Sequence, residues 1–117
     1  MTLECELTSE SWALKEPFEI SRSVVTAIHV LVVRLGDGEG HQGYGEATGV
    51  PYDDETPQSM AAQIEPLRPR LHAGLTHEEL MHWLPPGGAR NALDCALWDL
   101  RAKQSGRPVW QKIGLAR

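Results

Sequence analysis

The hydrophobic pattern of this chain changes its period once, close to Thr56. Before that point, apolar residues alternate with polar ones or form short β-branched runs, which is typical of strands. After it, apolar residues recur at intervals of three and four, which is typical of helices that face a core. The 117 residues are enough for one domain and little more. The sequence therefore predicts an α+β fold in which a sheet is followed by helices.

Three strands are predicted in the first part. The first runs from Leu3 to Trp12, and its apolar side consists of Leu3, Cys5 and Leu7. The second, from Val24 to Leu35, is apolar on both faces, which predicts a central strand covered on two sides. The third, from His41 to Ala47, follows a glycine-rich turn. Because these connections are short, we expect a three-stranded antiparallel meander.

Two helices are predicted from their N-terminal caps. Thr56 is an N-cap with Pro57 at the first helical position, and Pro66 should kink or split the helix that follows. Thr76 and Glu79 have the spacing of a capping box, so a short second helix should begin there.

A third helix is predicted from about Ala89 to Lys103, with its end at Gly106. Its apolar stripe consists of Ala89, Ala92, Leu93, Ala96, Leu97 and Leu100. Because half of these residues are alanine, this helix should approach its partner closely. Gly43 and Gly45 likewise leave one face of the third strand bare, so another segment should approach that strand.

Charge and composition limit the classes of partner. The formal net charge is −5, and acidic and basic residues are interspersed, which disfavours nucleic acid and anionic membranes as partners. The N-terminus has no signal-peptide pattern, and no apolar run is long enough to span a bilayer. A cytoplasmic location is therefore predicted. Cys5 and Cys95 are interpreted as two buried thiols rather than a disulfide.

Several motifs could indicate a phosphate or metal site. The stretch Gly43–Glu46 does not continue as a dinucleotide-binding loop, because Thr48 stands where the third glycine should be. His72, His77 and His82 lie five residues apart, so neighbours on a helix would be separated by about 140°. They are interpreted as surface histidines, and no metal ligands are predicted.

The acidic residues do not indicate a catalytic site either. Asp53-Asp54-Glu55 is interpreted as a solvated acidic loop, and Asp94 and Asp99 as partners in local salt bridges, for example Asp99 with Lys103. No serine, cysteine or lysine has a recognisable activating partner, so no catalytic residue is predicted. The residues taken alone describe a small α+β domain without catalytic machinery.

A more specific signal lies in the third helix and the residues after it. The runs Arg90–Leu100 and Gly106–Gly114 closely resemble the signature of the mandelate racemase and muconate lactonising enzyme group of the enolase superfamily. Gly43–Ala47 resembles the third strand of that family, and Pro51-Tyr52 resembles the loop after it. The resemblance spans about residues 7–114 and implies an enolase-like N-terminal capping domain over residues 1–117.

The stretch Pro17–Arg22 is similar to the capping-domain loop of dipeptide epimerases of the L-Ala-D/L-Glu type. Ser23 departs from that pattern, in which a glycine usually follows the arginine. Acylamino-acid racemases and succinylbenzoate synthases carry variants of the same loop. They and muconate-type cycloisomerases therefore stay open as alternatives, as does a free-standing α+β binding or dimerisation module.

The resemblance implies a division of labour between this domain and a following (β/α) barrel. The barrel would supply two lysines as acid and base, and three carboxylates that hold Mg²⁺ beside the enolate formed when the α-proton is removed. A barrel takes about 250 residues, so these groups are expected outside this chain. The chain alone is expected to be inactive, with its own barrel as partner and a dipeptide or related carboxylate as substrate. A homo-oligomer also stays open.

The same resemblance implies which residues of this chain contact the substrate. Five residues match the two loops that roof the active site in the family: Phe18, Ile20, Arg22, Pro51 and Tyr52. Arg22 is expected to pair with a substrate carboxylate, since a guanidinium offers it two parallel hydrogen bonds. Phe18 and Ile20 are expected to exclude water from the reacting centre.

Overall fold

A computed structural model describes residues 2–20, 23–49 and 55–108. Three antiparallel strands are followed by helices: β1 (Glu4–Ile20), β2 (Ser23–Gly36), β3 (Gln42–Ala47), α1 (Pro57–Ile64), α2 (Arg68–His72), α3 (His77–Trp83) and α4 (Gly88–Ser105). The sheet order is β1-β2-β3, so the predicted α+β meander is confirmed. None of the helices in these ranges combines the length and hydropathy needed to cross a bilayer.

β1 is longer than the sequence indicated. It continues through Pro17 to Ile20 and stays paired with β2, although the pairing register shifts between Ala13 and Phe18. A proline cannot donate a hydrogen bond to a strand ladder, and it is tolerated on an edge strand where the register breaks. Pro17 therefore lies where the pairing is interrupted, and it does not end the strand.

The two faces of β2 have different surroundings. Leu31, Val33 and Leu35 are fully buried in the core that the strands form with the helices. On the opposite face Val30 is buried, but Val32 is only half-buried beside the exposed Glu46. The predicted central position of β2 is confirmed, since β2 lies between β1 and β3. Coverage of its second face is complete at Val30 and only partial at Val32.

The first two predicted helices begin where their caps indicated. The Thr56 hydroxyl accepts a hydrogen bond from the backbone N–H of Ser59 at 3.0 Å, and Pro57 is the first residue of α1. Pro66 lies in a short 3₁₀ turn between α1 and α2, so the predicted split is confirmed. The capping box of Thr76 and Glu79 begins α3, as predicted.

α4 packs directly on β3. Every residue of its predicted apolar stripe is buried, and the helix ends at Gly106, whose φ of 69° is left-handed. A Cβ atom added at Gly45 would lie 1.9 Å from the carbonyl oxygen of Ala92, and one at Gly43 would lie 2.2 Å from that of Ala96. The bare face of the third strand and the alanine stripe are therefore two sides of one close contact.

Charged side chains from the helices bind the outer edges of the sheet. The Asp99 carboxylate accepts a hydrogen bond from the backbone N–H of Tyr44 at 2.9 Å. It also pairs with Lys103 at 2.9 Å, which confirms the predicted salt bridge. On the other edge, the Arg68 guanidinium donates to the carbonyl oxygen of Cys5. Each edge strand is thus anchored by a side chain from the helical layer.

A buried aspartate joins the β2–β3 turn to the end of α4. The Asp37 carboxylate accepts hydrogen bonds from the backbone N–H groups of Glu39 and His41 at 2.7 and 3.1 Å. Its other oxygen accepts one from the Gln104 amide at 3.0 Å and lies 2.7 Å from His41 Nδ1. Led by the Gln104 bond, these contacts hold the pKa of Asp37 far below its usual range.

The two cysteines are free, as predicted, but they differ in burial. Cys5 is partly buried beside the core, and this burial raises the pKa of its thiol to about 11. Cys95 is exposed, so the prediction of two buried thiols is wrong for this residue. Its position on α4 lies just outside the apolar stripe, and the helix therefore turns it toward solvent.

Candidate functional site

The predicted substrate-binding residues belong to two segments of the sequence, 17–22 and 51–52. Phe18 and Ile20 belong to β1, where the structure describes their backbone pairing with Val25 and Ser23. The other three predicted residues lie outside the described residues: Arg22, Pro51 and Tyr52. The structure therefore locates the flanks of both segments.

The described flanks of the two segments lie toward the same end of the sheet. β2 begins at Ser23 and β3 ends at Ala47, and these two strands are antiparallel. Ala47 pairs with Leu31, so β1 and β2 continue as a two-stranded arm beyond the end of β3. From Leu31 to Ser23 this arm extends by about 26 Å at roughly 3.3 Å per residue. This end of the sheet is the candidate functional site.

The flanks of the second segment meet at the base of α4. Gly49 has a left-handed φ of 82°, and a Cβ atom there would lie 2.6 Å from the carbonyl oxygen of Glu55. The Glu55 carboxylate accepts a hydrogen bond from the backbone N–H of Gly88 at 2.9 Å. Glu55 therefore caps α4, which corrects its interpretation as part of a solvated loop.

The sequence contained a signal for this cap, although it was missed. The residue before α4 is Gly87, which has no side chain that could accept hydrogen bonds from the first N–H groups of the helix. A helix of 18 residues without its own capping side chain needs an acceptor from elsewhere. Glu55, which lies 33 residues earlier, provides that acceptor.

A cleft of about 710 Å³ opens beside this contact. Its walls come from the end of β3, from α1 and from the start of α4, with the polar residues Glu46, Thr48, Glu55, Gln63 and Asn91. The cleft continues the candidate site from the end of the sheet to the helix layer.

His77 departs from the prediction of surface histidines. Its Nδ1 lies 2.8 Å from an Asp94 carboxylate oxygen, and its ring stacks on Trp98 with the centroids 4.1 Å apart. The Asp94 contact joins α3 to α4 across 17 residues, so it is not the local salt bridge that was predicted for this aspartate. Across residues 2–20, 23–49 and 55–108, no three His, Cys, Asp or Glu residues cluster closely enough to hold a metal ion.

One serine has a histidine partner that the sequence did not reveal. Ser11 Oγ lies 2.6 Å from His29 Nδ1 across β1 and β2, because the two residues are directly opposite in the strand register. Both side chains are exposed. Nucleophilic catalysis also needs a group that orients the histidine and donors for an oxyanion. We therefore interpret this contact as a cross-strand hydrogen bond.

Comparison with known families gives one extended match. Residues 2–114 match the family model described as mandelate racemase / muconate lactonizing enzyme, N-terminal domain. The L-Ala-D/L-Glu epimerase of Escherichia coli K12 is 46% identical over 106 residues, which cover 91% of this chain and 33% of that enzyme. The chain thus spans about a third of the length of this curated relative.

Two solved structures share the fold closely. An enolase family member from Agrobacterium tumefaciens, described as homologous to dipeptide epimerases and bound to sodium and L-Ala-L-Glu, has a TM-score of 0.89 at 38% identity. The match covers 96% of this chain and 34% of that one. A dipeptide epimerase from Methylococcus capsulatus, complexed with Mg and L-Arg-D-Lys, has a TM-score of 0.83 at 28% identity. That match covers 100% of this chain and 36% of the epimerase chain.

Proposed function

Because the chain belongs to the mandelate racemase / muconate lactonizing enzyme family, whose N-terminal domain matches residues 2–114, we propose that it is the capping domain of a dipeptide epimerase. The observation that carries this proposal is the 46% identity to an L-Ala-D/L-Glu epimerase over 106 residues. The resemblance of Pro17–Arg22 to the epimerase loop supports the same choice. The reaction would be removal and return of a proton at the α-carbon of a dipeptide residue.

In this proposal, the chain selects the substrate and a following barrel performs the chemistry. The arm formed by β1 and β2 and the end of β3 carry the two segments proposed to contact the substrate. The magnesium that accompanies a related epimerase would be bound by the barrel, as the family resemblance implies. The work of this chain would then be to bind, orient and shield the dipeptide.

The first prediction concerns the full-length protein. The coding sequence beyond Arg117 is expected to encode a Lys-x-Lys segment and three spaced carboxylates. Incubated with Mg²⁺ and L-Ala-L-Glu in D₂O, that protein should replace the glutamyl α-proton with deuterium and form L-Ala-D-Glu, both visible by proton NMR. A stop codon directly after Arg117 would contradict the proposal. So would turnover restricted to N-acylamino acids or to a cyclisation, since either would assign the chain to another branch of the family.

The second prediction concerns Arg22. In the full-length protein, Arg22→Met should lower kcat/KM for L-Ala-L-Glu by about a hundredfold, because a charge-assisted contact to the substrate carboxylate contributes about 3 kcal/mol. The loss should be much smaller for a dipeptide with a neutral C-terminal side chain. The difference is measured by determining kcat/KM for both substrates in the parent protein and in Arg22→Met.

A matched control for Arg22→Met is Arg107→Met, which removes an exposed arginine just after α4. This control should leave kcat/KM unchanged for both substrates. Unchanged values across acidic dipeptides in Arg22→Met itself would remove Arg22 from the substrate site while leaving the epimerase proposal intact.

A further inference from the structure

One side of the helical layer is largely apolar and open to solvent. Met81 of α3 is 41% exposed, and beside it α4 presents Asn91 and Cys95, which are exposed, and Trp98, which is half-buried. We propose that this α3–α4 face, made of these four residues, is a surface on which the following barrel packs. The inference rests on the function proposed above, because it assigns a contact surface to the barrel proposed there.

The three residues from α4 share one side of that helix. Asn91, Cys95 and Trp98 lie at positions i, i+4 and i+7, on the side opposite the buried stripe that packs on β3. The solvent side of a helix in a globular domain normally carries charged and polar residues. Here only Asn91 is polar and none of the three is charged, so this side of α4 has the composition of a contact surface.

The charged residues of α4 lie to either side of this face. Each of them contacts a group within the domain: Arg90 the Leu84 carbonyl oxygen, Asp94 the His77 ring, Asp99 both Tyr44 and Lys103, and Arg101 the Gln104 side chain. These charges therefore flank the α3–α4 face without crossing it. A neighbouring domain could pack on the face without removing one of these charges from its partner.

Contacts between α3 and α4 hold the face together. The His77 ring stacks on Trp98 with the centroids 4.1 Å apart, and its Nδ1 lies 2.8 Å from the Asp94 carboxylate. Met81 follows His77 by one helical turn, so it lies on the same side of α3. A recess of about 330 Å³ separates Met81 from Asn91. The face is thus a fixed surface with a depression that an apolar side chain could enter.

The α3–α4 face is continuous with the candidate functional site. Asn91 lines both the recess beside Met81 and the cleft of about 710 Å³ at the end of β3. A barrel that closes the candidate site, as the proposed function requires, would therefore reach this face at Asn91. Such a body is available in the relatives, since the matched region is only about a third of their length.

A second copy of the chain is the other candidate for this face, but the area is too small. From Asn91 to Trp98, α4 advances about 11 Å, and two adjacent helices are roughly 20 Å across, so the face covers about 200 Å². Stable dimers bury about 800 Å² on each partner. A barrel in the same chain needs far less area, because a covalent connection raises its effective concentration to about the millimolar range.

The first test uses Cys95 as a probe in the full-length protein. N-ethylmaleimide labelling, followed by peptide mass spectrometry, should modify Cys95 at least about a hundredfold more slowly than a cysteine at an open site, because a packed thiol reacts only after local opening. The open site is Ala73→Cys, an exposed position at the end of α2. α2 packs on β1, whereas α4 packs on β3, so the two cysteines lie over opposite edges of the sheet.

Two controls make this comparison specific. Partial burial, and then the nearby Asp94, raise the pKa of the Cys95 thiol, so the pH dependence of labelling is used to compare the rate constants of the two thiolates. Labelling is also repeated at protein concentrations where sedimentation shows a monomer. Equal thiolate rate constants at the two sites would overturn the proposal. Protection that disappears in the monomer would also overturn it, because it would assign the face to a second copy.

The second test is Cys95→Lys in the full-length protein. On an open helix, lysine is the better helix former and would lie one turn from Asp99, so the melting temperature should stay constant or rise slightly. Under a packed barrel, the same change buries a charge, and we expect the melting temperature to fall by about five degrees or more. Ala73→Lys, the matched control, should stay within about one degree. A constant or raised value in Cys95→Lys would contradict the proposal.

Neither test depends on turnover, which separates this inference from the proposed epimerase activity. Protection of Cys95 in a full-length protein that epimerises no dipeptide would keep the packing surface while the epimerase proposal fails. An active epimerase in which Cys95 reacts as fast as the cysteine of Ala73→Cys would overturn the packing surface and leave the proposed function intact.

Discussion

Gly45→Ala should unfold this domain or leave it only marginally stable. The added Cβ would lie 1.9 Å from the Ala92 carbonyl oxygen and 2.9 Å from the Ala96 nitrogen, so it would meet the backbone of α4 rather than a flexible side chain. To accommodate it, the helix would have to move away from β3 along its buried stripe. We expect a loss of about 3 kcal/mol or more, a large part of the stability of a domain of this size.

Thermal and urea unfolding followed by circular dichroism measure this loss, and Gly36→Ala is the matched control. Gly36 also lies in the sheet, but its added Cβ would lie 3.3 Å from the end of the Arg34 side chain and at an ordinary contact distance of 4.0 Å from the His41 carbonyl oxygen. That guanidinium can shift at little cost, so Gly36→Ala should stay within about 1 kcal/mol of the parent. Equal melting temperatures for the two variants would mean that the close contact between α4 and β3 does not exist in solution.

Asp37→Asn should cause the second-largest loss of stability, and the loss should depend on pH. The Asp37 carboxylate accepts hydrogen bonds from two backbone N–H groups and from the Gln104 side chain. The amide of an asparagine would instead turn its NH₂ group toward some of these donors. At pH 7 the melting temperature should fall by several degrees, because buried donors would lose their partner.

The pH dependence follows from the direction of the pKa shift. The pKa of Asp37 is lowered in the folded state, chiefly by the Gln104 hydrogen bond, so its carboxylate stabilises the fold at neutral pH. That contribution is complete above the ordinary aspartate value of about 3.9 and is lost as the pH falls below it. The gap in melting temperature between the parent and Asp37→Asn should therefore narrow below about pH 4.

Asp99→Asn is the control for the size of the loss at pH 7. Asp99 also binds a backbone N–H, but its side chain is partly exposed. Its effect on the melting temperature at pH 7 should therefore be smaller than that of Asp37→Asn. If the gap for Asp37→Asn stayed constant between pH 2 and 7, the Asp37 carboxylate would not be the group that stabilises the β2–β3 turn.

The sequence predicted the parts of this fold that depend on local rules. Thr56, Thr76 and Gly106 mark helix ends through hydrogen bonds between residues a few positions apart. Such local hydrogen bonds can be predicted from the residue types and their spacing in the sequence. The apolar stripe of α4 was predicted residue by residue for the same reason. The family resemblance was read from the same helix and is confirmed by the match over residues 2–114.

What the sequence did not reveal depends on contacts between distant residues. Glu55 caps a helix that begins 33 residues later, and Asp37 binds Gln104 across 67 residues. The continuation of β1 past Pro17 depends on pairing with β2, which tolerates a register shift at that point. The substrate-binding role of Arg22, Pro51 and Tyr52 came from resemblance alone and stays a prediction.

The side chains that anchor the sheet edges also bear on self-association. An uncovered edge strand offers its free N–H and C=O groups to any other extended chain, which is one route to aggregation. Asp99 accepts a hydrogen bond from the backbone N–H of Tyr44 on β3, and Arg68 donates one to the carbonyl oxygen of Cys5 on β1. Both are charged, so each also disfavours the approach of an apolar strand. The helical layer thereby blocks one pairing position on each edge of the sheet, and loss of either side chain would open that position to an intermolecular strand.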